Sequence, residues 1–405
     1  MKVGEVVAGR YELRAQLGEG GMGAVWWAHD RSTGTDVALK RMTFGGGARQ
    51  RKAVARFQRE FHTLASLQHP RILRAFDYGV DERGPYYTME LLGGADLGDV
   101  LRDRAPLPIA EACGYLRDIA AGLAALHARG LVHRDLSPRN VRVVDGRAVL
   151  FDLGVLMNAG RVVDVAGTPA YLAPEMFRSE PVDGRADLYS LGVLAYAMVT
   201  GRKPYEARSL EMLPHAWEQP LPPPSALAEI PEALEELILD LLSHEPLARP
   251  PNAAVLIDRF TDVGDLPPAE GLAMGPGFLA AAELVGREEA MVAAETALRS
   301  VAEAGFARFA FEGASGAGKT RLLDEVAVRA KLHGVVPLLV TAGEGEGGPH
   351  ALLGQLVETA FAVLPDDARA ASRADADQLG RLFPVVRATH PTSDAEDGAE
   401  PAEDR

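Results

Sequence analysis

In the first hundred residues, short apolar runs alternate with turn residues: YELRAQLGEG at 11–20, AVWWAHD at 24–30, DVALKRM at 36–42 and PYYTMEL at 85–91. Alternation over such short windows predicts half-buried strands. One stretch breaks the rhythm. In VARFQREFHTLASLQ at 54–68, Phe57, Phe61, Leu64 and Leu67 recur at helical spacing, which predicts an amphipathic helix. From about 108 to 262 the pattern is mainly helical, interrupted by LVHRDLSPRNVRVVDGRAVLFDLG with its two short β-like runs. The apolar pattern thus predicts an α+β arrangement in two lobes, a small β-rich one followed by a larger helical one.

Within the second lobe, LYSLGVLAYAMVTG at 188–201 reads as a buried core helix and LPPPSA at 221–226 as a surface loop. VGDLPPAEGLAMGPG at 263–277 has the composition of a linker. Beyond it, ARFAFEG at 307–313 predicts a strand, KTRLLDEVAVRAKLHG at 319–334 a helix and VVPLLV at 335–340 a further apolar run, the start of an α/β unit. The acidic PTSDAEDGAEPAEDR at 391–405 is nearly devoid of apolar side chains and predicts disorder. These shifts suggest boundaries at 8–262, a linker at 263–282, a second unit at 283–388 and a tail at 389–405. No internal repeat is evident.

Composition narrows the function. With 405 residues, 47% apolar and 24% charged, the chain can bury the cores of two or three globular domains. A formal net charge of −15 argues against a general nucleic-acid or anionic-membrane binder, because phosphates would be repelled. The single cysteine, Cys113, excludes an internal disulfide framework and reads as a small buried hydrophobe in a reducing compartment. MKVGEVVAGRYELRAQ lacks the apolar core of a signal peptide, and no run reaches the roughly 18 apolar residues of a membrane span, so a cytoplasmic protein is expected.

Candidate chemistry begins at LGEGGMGAV, 17–25, where Gly18, Gly20 and Gly23 fit G-x-G-x-x-G ahead of Val25. The motif lies between two strand-like runs, as a hairpin lid over phosphates requires, whereas a dinucleotide-binding fold would need a helix next. Taken alone, a ligand-free glycine-rich hairpin would be an equal reading. The following residues shift that balance. VALK places Lys40 on the next strand, where an ammonium can hold phosphates, and Glu60 lies on the amphipathic helix, positioned to orient it. HRDLSPRN supplies His133, Arg134, Asp135 and Asn140, and DLG supplies Asp152. Phosphoryl transfer needs a carboxylate for the attacking hydroxyl and oxygen ligands for Mg²⁺, and these residues provide both.

This ordered set, from the glycine-rich loop through VALK, HRD and DLG to APE at 173–175, resembles the eukaryotic-like Ser/Thr protein kinase family over residues 8–262. The resemblance implies the two-lobed kinase fold, ATP and Mg²⁺, and protein substrates carrying Ser or Thr. By the same resemblance Lys40 and Glu60 form an ion pair, Asp135 is the catalytic base, and Asn140 and Asp152 bind the metal. Leu17, Val25, Ala38 and Met89 would line the adenine pocket, Glu90 and Leu92 would supply hinge backbone, and Asp96 would lie near the ribose. GTPAYLAPE looks like a Ser/Thr platform; Glu175 would pair with Arg249, Asp187 would hold the catalytic loop, and His133 would pack in the core.

Several residues depart from the family pattern. Ser137 stands where a lysine is usual, and Arg139, four residues after Asp135, is either its replacement or a plain solvent-facing arginine. Leu153 in DLG keeps the apolar contact of the usual phenylalanine. Arg142 occupies the apolar floor beneath adenine, where it would stack or turn outward, so nucleotide affinity is the property at stake. No Ser, Thr or Tyr lies between Asp152 and Gly167, which removes the usual phosphosite and makes Asp164 a candidate partner for Arg134, with Thr168 bonding the catalytic loop.

A second phosphate cradle, FEGASGAGKT, matches G-x-x-x-x-G-K-T with Gly313, Gly318, Lys319 and Thr320. Together with LVGREEAMV at 284–292 it resembles the truncated start of an AAA-like signalling ATPase, a partial α/β P-loop domain over roughly 284–385. No later apolar run ends in an acidic residue: VVPLLV runs into TAGE and LFPVV into RATH. The expectation is a remnant or binding element without hydrolysis. Two rivals remain, a nucleotide-binding pseudokinase scaffold and a nucleotide-gated regulator working through the second cradle. Oligomeric state is not legible.

Overall fold

The alternating runs of the first ninety residues form one six-stranded antiparallel sheet. A computed structural model describes residues 1–20, 23–42, 48–67, 69–152, 157–158, 160–161, 167–178, 180–207, 209–268, 287–312, 318–333, 335–340 and 351–390. The strands are β1 (Val6–Val7), β2 (Tyr11–Gly20), β3 (Gly23–Asp30), β4 (Thr35–Arg41), β5 (Ala75–Asp81) and β6 (Gly84–Met89). They are ordered β1-β2-β3-β4-β6-β5. Because successive side chains point to opposite faces, Val37 and Leu39 of β4 join Leu13, Trp26 and Tyr86 in one small core, while Ala38 packs into the main core on the other face.

The helix α1 (Ala48–Ser66) crosses that second face, with Phe57, Phe61 and Leu64 buried against Tyr78 and Tyr87. It begins earlier than its apolar period indicates, since ARQRKA consists of good helix formers that need no buried partner. Strand β5, AFDYGVD, was not among the expected strands; it pairs antiparallel with β6 across a register shift.

The larger lobe is built on α3 (Ile109–His127) and α5 (Arg185–Thr200), with α2 (Leu97–Arg104), α4 (Pro174–Phe177), α6 (Leu213–Trp217), α7 (Glu232–Leu241) and α8 (Ala254–Val263) around them. Helix α5 is buried from Ala186 to Thr200, as a core helix that is apolar on all sides must be. A Cβ on its Gly192 would lie 2.7 Å from the Leu241 Cβ, so glycine is what allows α7 to pack this closely. A three-stranded sheet of β7 (Ala95–Asp96), β9 (Val141–Val144) and β10 (Arg147–Leu150) lies between the lobes, and β8 is Leu131–Val132. Arg71 in the loop after α1 is tied to Asp118 of α3 by a buried bond of 2.7 Å. Cys113 is buried, and burial pushes its thiol up to about 11, the behaviour of a small core hydrophobe.

Beyond the large lobe the described residues form α9 (Glu288–Ala304), α10 (Lys319–Leu332), α11 (Ala351–Val363), α12 (Pro365–Ser372), α13 (Ala376–Leu382) and α14 (Pro384–Thr389). The helix expected at 319–334 is α10. The strands expected at 307–313 and 335–340 differ: neither joins a sheet among the described residues. A strand exists only through a partner's hydrogen bonds, and Pro337 lacks the N–H that a ladder needs. Of the linker expected at 263–282, residues 269–282 lie outside the described residues, as do residues 391–405 of the tail expected at 389–405. Among the described residues no helix is long and apolar enough to cross a membrane.

Candidate active site

The β2–β3 hairpin sets the roof of a cleft between the lobes. Gly18 is paired with Val25 and Gly20 with Gly23, and Val25 in turn faces Lys40 on β4. Gly23 has φ +147°, and a Cβ there would lie 2.1 Å from the Arg41 carbonyl oxygen, so the hairpin can close only on glycine. At Gly18 a Cβ would meet nothing within 4 Å, which leaves open space beneath the lid.

Register then brings three functional groups together. Lys40 and Tyr87 are direct partners across β4 and β6 and so share a face. Glu60 of α1 reaches that face: Lys40 Nζ donates to its Oε1 at 2.6 Å, and the Tyr87 hydroxyl donates to the same oxygen at 2.8 Å. Burial alone would pull the Lys40 ammonium down, but Glu60 and then Asp152, 3.7 Å away, outweigh it and raise its affinity for the proton. Burial and Glu60 push the Tyr87 phenol well above its ordinary range, which keeps it a donor. Tyr87 was missed in the sequence. The available signal was period two: Tyr87 and Met89 alternate onto one face of β6.

The loop HRDLSPRN, residues 133–140, is held from below. Asp187, fully buried, accepts from the His133 and Arg134 amides at 2.8 and 2.9 Å and from His127 Nε2 at 2.8 Å. Burial pushes the Asp187 carboxyl up, and His127 with the loop amides brings it below the usual carboxylate range. Arg134 and Asp152 take positive φ of 68° and 57°, conformations sparsely populated outside glycine. His133 is buried with both ring nitrogens unbonded, as a packing residue. Thr168 holds Asp135 Oδ1 through its amide at 2.8 Å and its hydroxyl at 2.9 Å, and Asn140 Nδ2 bonds the Asp135 carbonyl at 2.7 Å and Oδ2 at 3.2 Å. Ser137 is buried whereas Arg139 is exposed. Glu175 and Arg249 form a buried two-bond pair at 2.7 and 2.9 Å. Asp164 and Leu153 lie outside the described residues.

Around the adenine side, Ala38 pairs with Met89, both buried, and Leu17 and Val25 lie above them on the hairpin. The Glu90 amide is committed to the Arg74 carbonyl at 2.9 Å, so Glu90 can offer a base only its carbonyl; Leu92 follows two residues on, between β6 and β7. Asp96 caps α2, with Oδ1 accepting from the Asp99 amide at 2.8 Å. Of the two dispositions open to Arg142, the outward one is found. Its Nε and Nη2 donate to the Gly93 and Gly94 carbonyls at 2.9 Å each, which fastens the hinge and takes the guanidinium away from a stacking position.

The fit to Mg²⁺ follows from the donors. Asn140 commits its amide hydrogens to Asp135, so Oδ1 is the ligand it can offer, and the Asp152 side chain is half exposed next to Lys40. Two oxygen ligands suit an ion that keeps waters and takes substrate phosphates for the rest. Among the described residues no cluster of three or more His, Cys, Asp or Glu offers an alternative metal site. At the second cradle, Gly318, with φ +79°, precedes Lys319 and Thr320 in the first turn of α10; Gly313 lies outside the described residues.

An ion-paired lysine under a glycine hairpin, facing a loop that presents a braced aspartate, defines a phosphotransferase cleft. The protein kinase domain model matches residues 11–261, and the chain belongs to the protein kinase family. It is 36% identical to the Serine/threonine-protein kinase PksC of Streptomyces coelicolor over 62% of this chain and 49% of PksC. With PknA of Mycobacterium tuberculosis, also a serine/threonine-protein kinase, it shares 33% identity over 74% of this chain and 72% of PknA. With the serine/threonine-protein kinase pkn2 of Myxococcus xanthus it shares 35% over 62% of this chain and 32% of that protein. The domain is therefore of the bacterial Ser/Thr protein kinase type, while the chain spans about half the length of PksC.

Proposed function

We propose that the chain transfers the γ-phosphoryl group of ATP to Ser and Thr hydroxyls of protein substrates in bacterial-type signalling. The observation that carries this reading is the Asp135 carboxylate, braced by Thr168 and Asn140, in the cleft lined by the Lys40–Glu60 pair and Asp152. Lys40, oriented by Glu60 and Tyr87, holds the α- and β-phosphates. Leu17, Val25, Ala38 and Met89 enclose adenine, the Glu90 carbonyl and Leu92 backbone orient it, and Asp96 keeps one carboxylate oxygen for the ribose. Asp135 aligns the substrate hydroxyl and takes its proton as the oxygen bonds to the γ-phosphorus and the bond to the β–γ bridging oxygen breaks, releasing ADP. Asn140 and Asp152 would hold Mg²⁺, which neutralises charge on the phosphates. Since Ser137 is buried, Arg139 is the cation the loop can present to the transferred group.

The kinase unit is assigned to 8–262 and the linker to 263–282. Residues 283–388 are read as a partial AAA-like P-loop module that binds nucleotide without turnover, supported by Gly313, Gly318, Lys319 and Thr320 in sequence and by the helix starting at Lys319. ATP as co-substrate and a lone buried thiol favour the cytoplasm. The deciding test is incorporation of labelled phosphate from ATP into casein by the full chain, wild type beside Asp135→Asn. Loss of general-base help should lower kcat roughly 10²- to 10⁴-fold. Equal incorporation by both would remove Asp135 from the mechanism; none by either would leave the pseudokinase reading.

A further inference from the structure

Helix α1 is gripped from two sides, and only one grip belongs to the kinase cleft. Glu60 points to Lys40 and Tyr87. Two residues on, turned by about 200° around the helix, His62 points away and bonds Glu325 Oε1 of α10 at 2.9 Å, across a sequence separation of 263 residues. Glu325 is only 5% exposed, and an acid buried that deeply is costly unless paired. Its partners are His62 together with Arg329 at 3.1 Å and Arg321 at 3.4 Å on its own helix.

A second anchor lies farther along α10. Lys331, roughly 9 Å from Glu325 by helical rise, donates to the Phe76 carbonyl of β5 at 2.6 Å and pairs with Asp77 at 3.1 Å. Asp77 is itself tied to the sheet through the Tyr11 hydroxyl at 3.1 Å and Arg10 at 3.3 Å. Between the anchors Val328 is buried as part of the kinase core, and Leu332, just past Lys331, packs against that core. The large lobe comes near as well. Arg129, in the turn after α3, is pushed down to about 10 by burial and by Arg321, with Glu325 acting in the opposite direction, which places it beside the first turns of α10.

We infer that α10 is an intramolecular docking element that clamps α1 and β5 from behind and holds Glu60 on Lys40, so that phosphoryl transfer depends on a helix outside residues 11–261. A helix bonded to α1 and β5 at once restricts the swing of α1 that would withdraw Glu60 from the cleft. The docked arrangement coexists with the formed Lys40–Glu60 bond, which sets the sign: docking favours the competent state. His62, Glu325 and Lys331 act as positioning residues.

The test rests on the kinase reading for its activity arm and is independent of it in the other arm. In the full chain, Glu325→Lys sets a lysine against His62, Arg129, Arg321 and Arg329, and His62→Glu added to it re-creates an opposite-charge pair. Two quantities are read: kcat/KM for labelled transfer to casein, and amide hydrogen exchange of α1. A coupling of ordinary size predicts a roughly fivefold or greater loss of kcat/KM with Glu325→Lys, faster α1 exchange, and recovery of at least half of both in the double variant. Lys331→Ala, a change at a half-buried side chain, should shift both in the same direction should Glu325→Lys fail to fold. Unchanged or raised activity with unchanged α1 exchange would overturn the clamp, as would Glu325→Lys losses that His62→Glu leaves untouched. If the wild type transfers no phosphate, the kinase reading falls and α1 exchange alone decides the docking.

Discussion

The hairpin carrying Gly18, Gly20 and Gly23 and the helix beginning at Lys319 are the two candidate phosphate cradles, each with a lysine in or near it. Their surroundings differ. The hairpin is paired along its length to a sheet whose next strands bring Lys40 and Tyr87 to Glu60, with Asp152 3.7 Å from the lysine. The helix start has Lys319 and Thr320, yet the flanking runs at 307–312 and 335–340 join no sheet among the described residues. A cradle binds through its backbone, but turnover needs acids and hydroxyl-orienting groups placed by a surrounding fold. The motif that is more specific as text thus has fewer supporting groups around it among the described residues.

The strongest way to break that contrast is to remove the charge at the centre of the first cradle. Lys40→Met should cost about 10²-fold or more in kcat, the scale for losing a preorganised electrostatic contact. Because the variant also strands Glu60 with Tyr87 alone, the thermal midpoint should fall. A Lys40→Met protein with wild-type kcat would mean that the phosphates are held elsewhere.

Next in size is the hairpin itself. Gly23→Ala forces a Cβ against the Arg41 backbone oxygen in addition to an unfavourable φ, so in urea unfolding its loss should exceed that of Gly318→Ala by about 1–3 kcal/mol. Gly318→Ala, where nothing lies within 4 Å, should cost only the left-handed preference of about 1–2 kcal/mol. Equal losses at the two glycines would show that the steric closure of the hairpin is not what distinguishes them.

Much of this was written in the chain. The run YELRAQLGEG is β2 to the residue, with Tyr11 and Leu13 buried at alternate positions, and HRDLSPRN and DLG supply Asp135, Asn140 and Asp152 to one cleft. What was illegible depends on contacts between distant segments. Strand β5 carries Gly79 and polar residues, so it gives little signal without β6 beside it. Tyr87 looks like any aromatic strand residue until α1 brings Glu60 to it. The choice made by Arg142 is fixed by the Gly93 and Gly94 carbonyls, which no spacing rule reveals. The expected strands after residue 306 had the right composition, but composition cannot supply a partner.

Tyr87 gives a finer probe of the first cradle. Tyr87→Phe keeps the ring packed on Phe57 and Phe61 and deletes only the bond to Glu60, a loss of about 0.5–1.5 kcal/mol. If that energy orients Glu60, kcat/KM should drop by up to roughly tenfold. An unchanged kcat/KM with a lowered unfolding midpoint would make the bond structural only.

Acid provides a subtler comparison at the back of α1. Burial pushes the Glu325 carboxyl up, but His62 and Arg329 bring it to about 2. With the folded value depressed, the stabilisation is complete above the ordinary glutamate range near 4.3 and is lost as pH falls toward 2. The groups facing it are His62 of α1, Arg321 and Arg329 of α10, and Arg129 after α3. In full-chain urea titrations, Glu325→Gln should flatten the fall in stability between pH 4.5 and 2, a window bounded by the ordinary and the shifted values. A slope identical to that of the wild type would mean that Glu325 is not paired in solution.

The smallest effect expected is none at all, and it bears on the second cradle directly. Lys319 begins α10 but is six residues from Glu325, the nearer of the two clamp anchors on that helix, so removing its ammonium should leave both the clamp and the cleft intact. Lys319→Ala should therefore keep wild-type casein phosphorylation. Placed on Asp135→Asn, which the proposed role of Asp135 predicts to cut transfer at the first cradle sharply, it isolates any turnover at the second. Steady-state release of phosphate from ATP should be at background with or without Lys319→Ala, since an apolar strand ending in an acid, which hydrolysis requires, is not found in the sequence after Thr320. Hydrolysis in the Asp135→Asn chain that disappears with Lys319→Ala would reverse the comparison: the second cradle would be a working site, completed by an acidic residue from a segment whose sequence does not announce it.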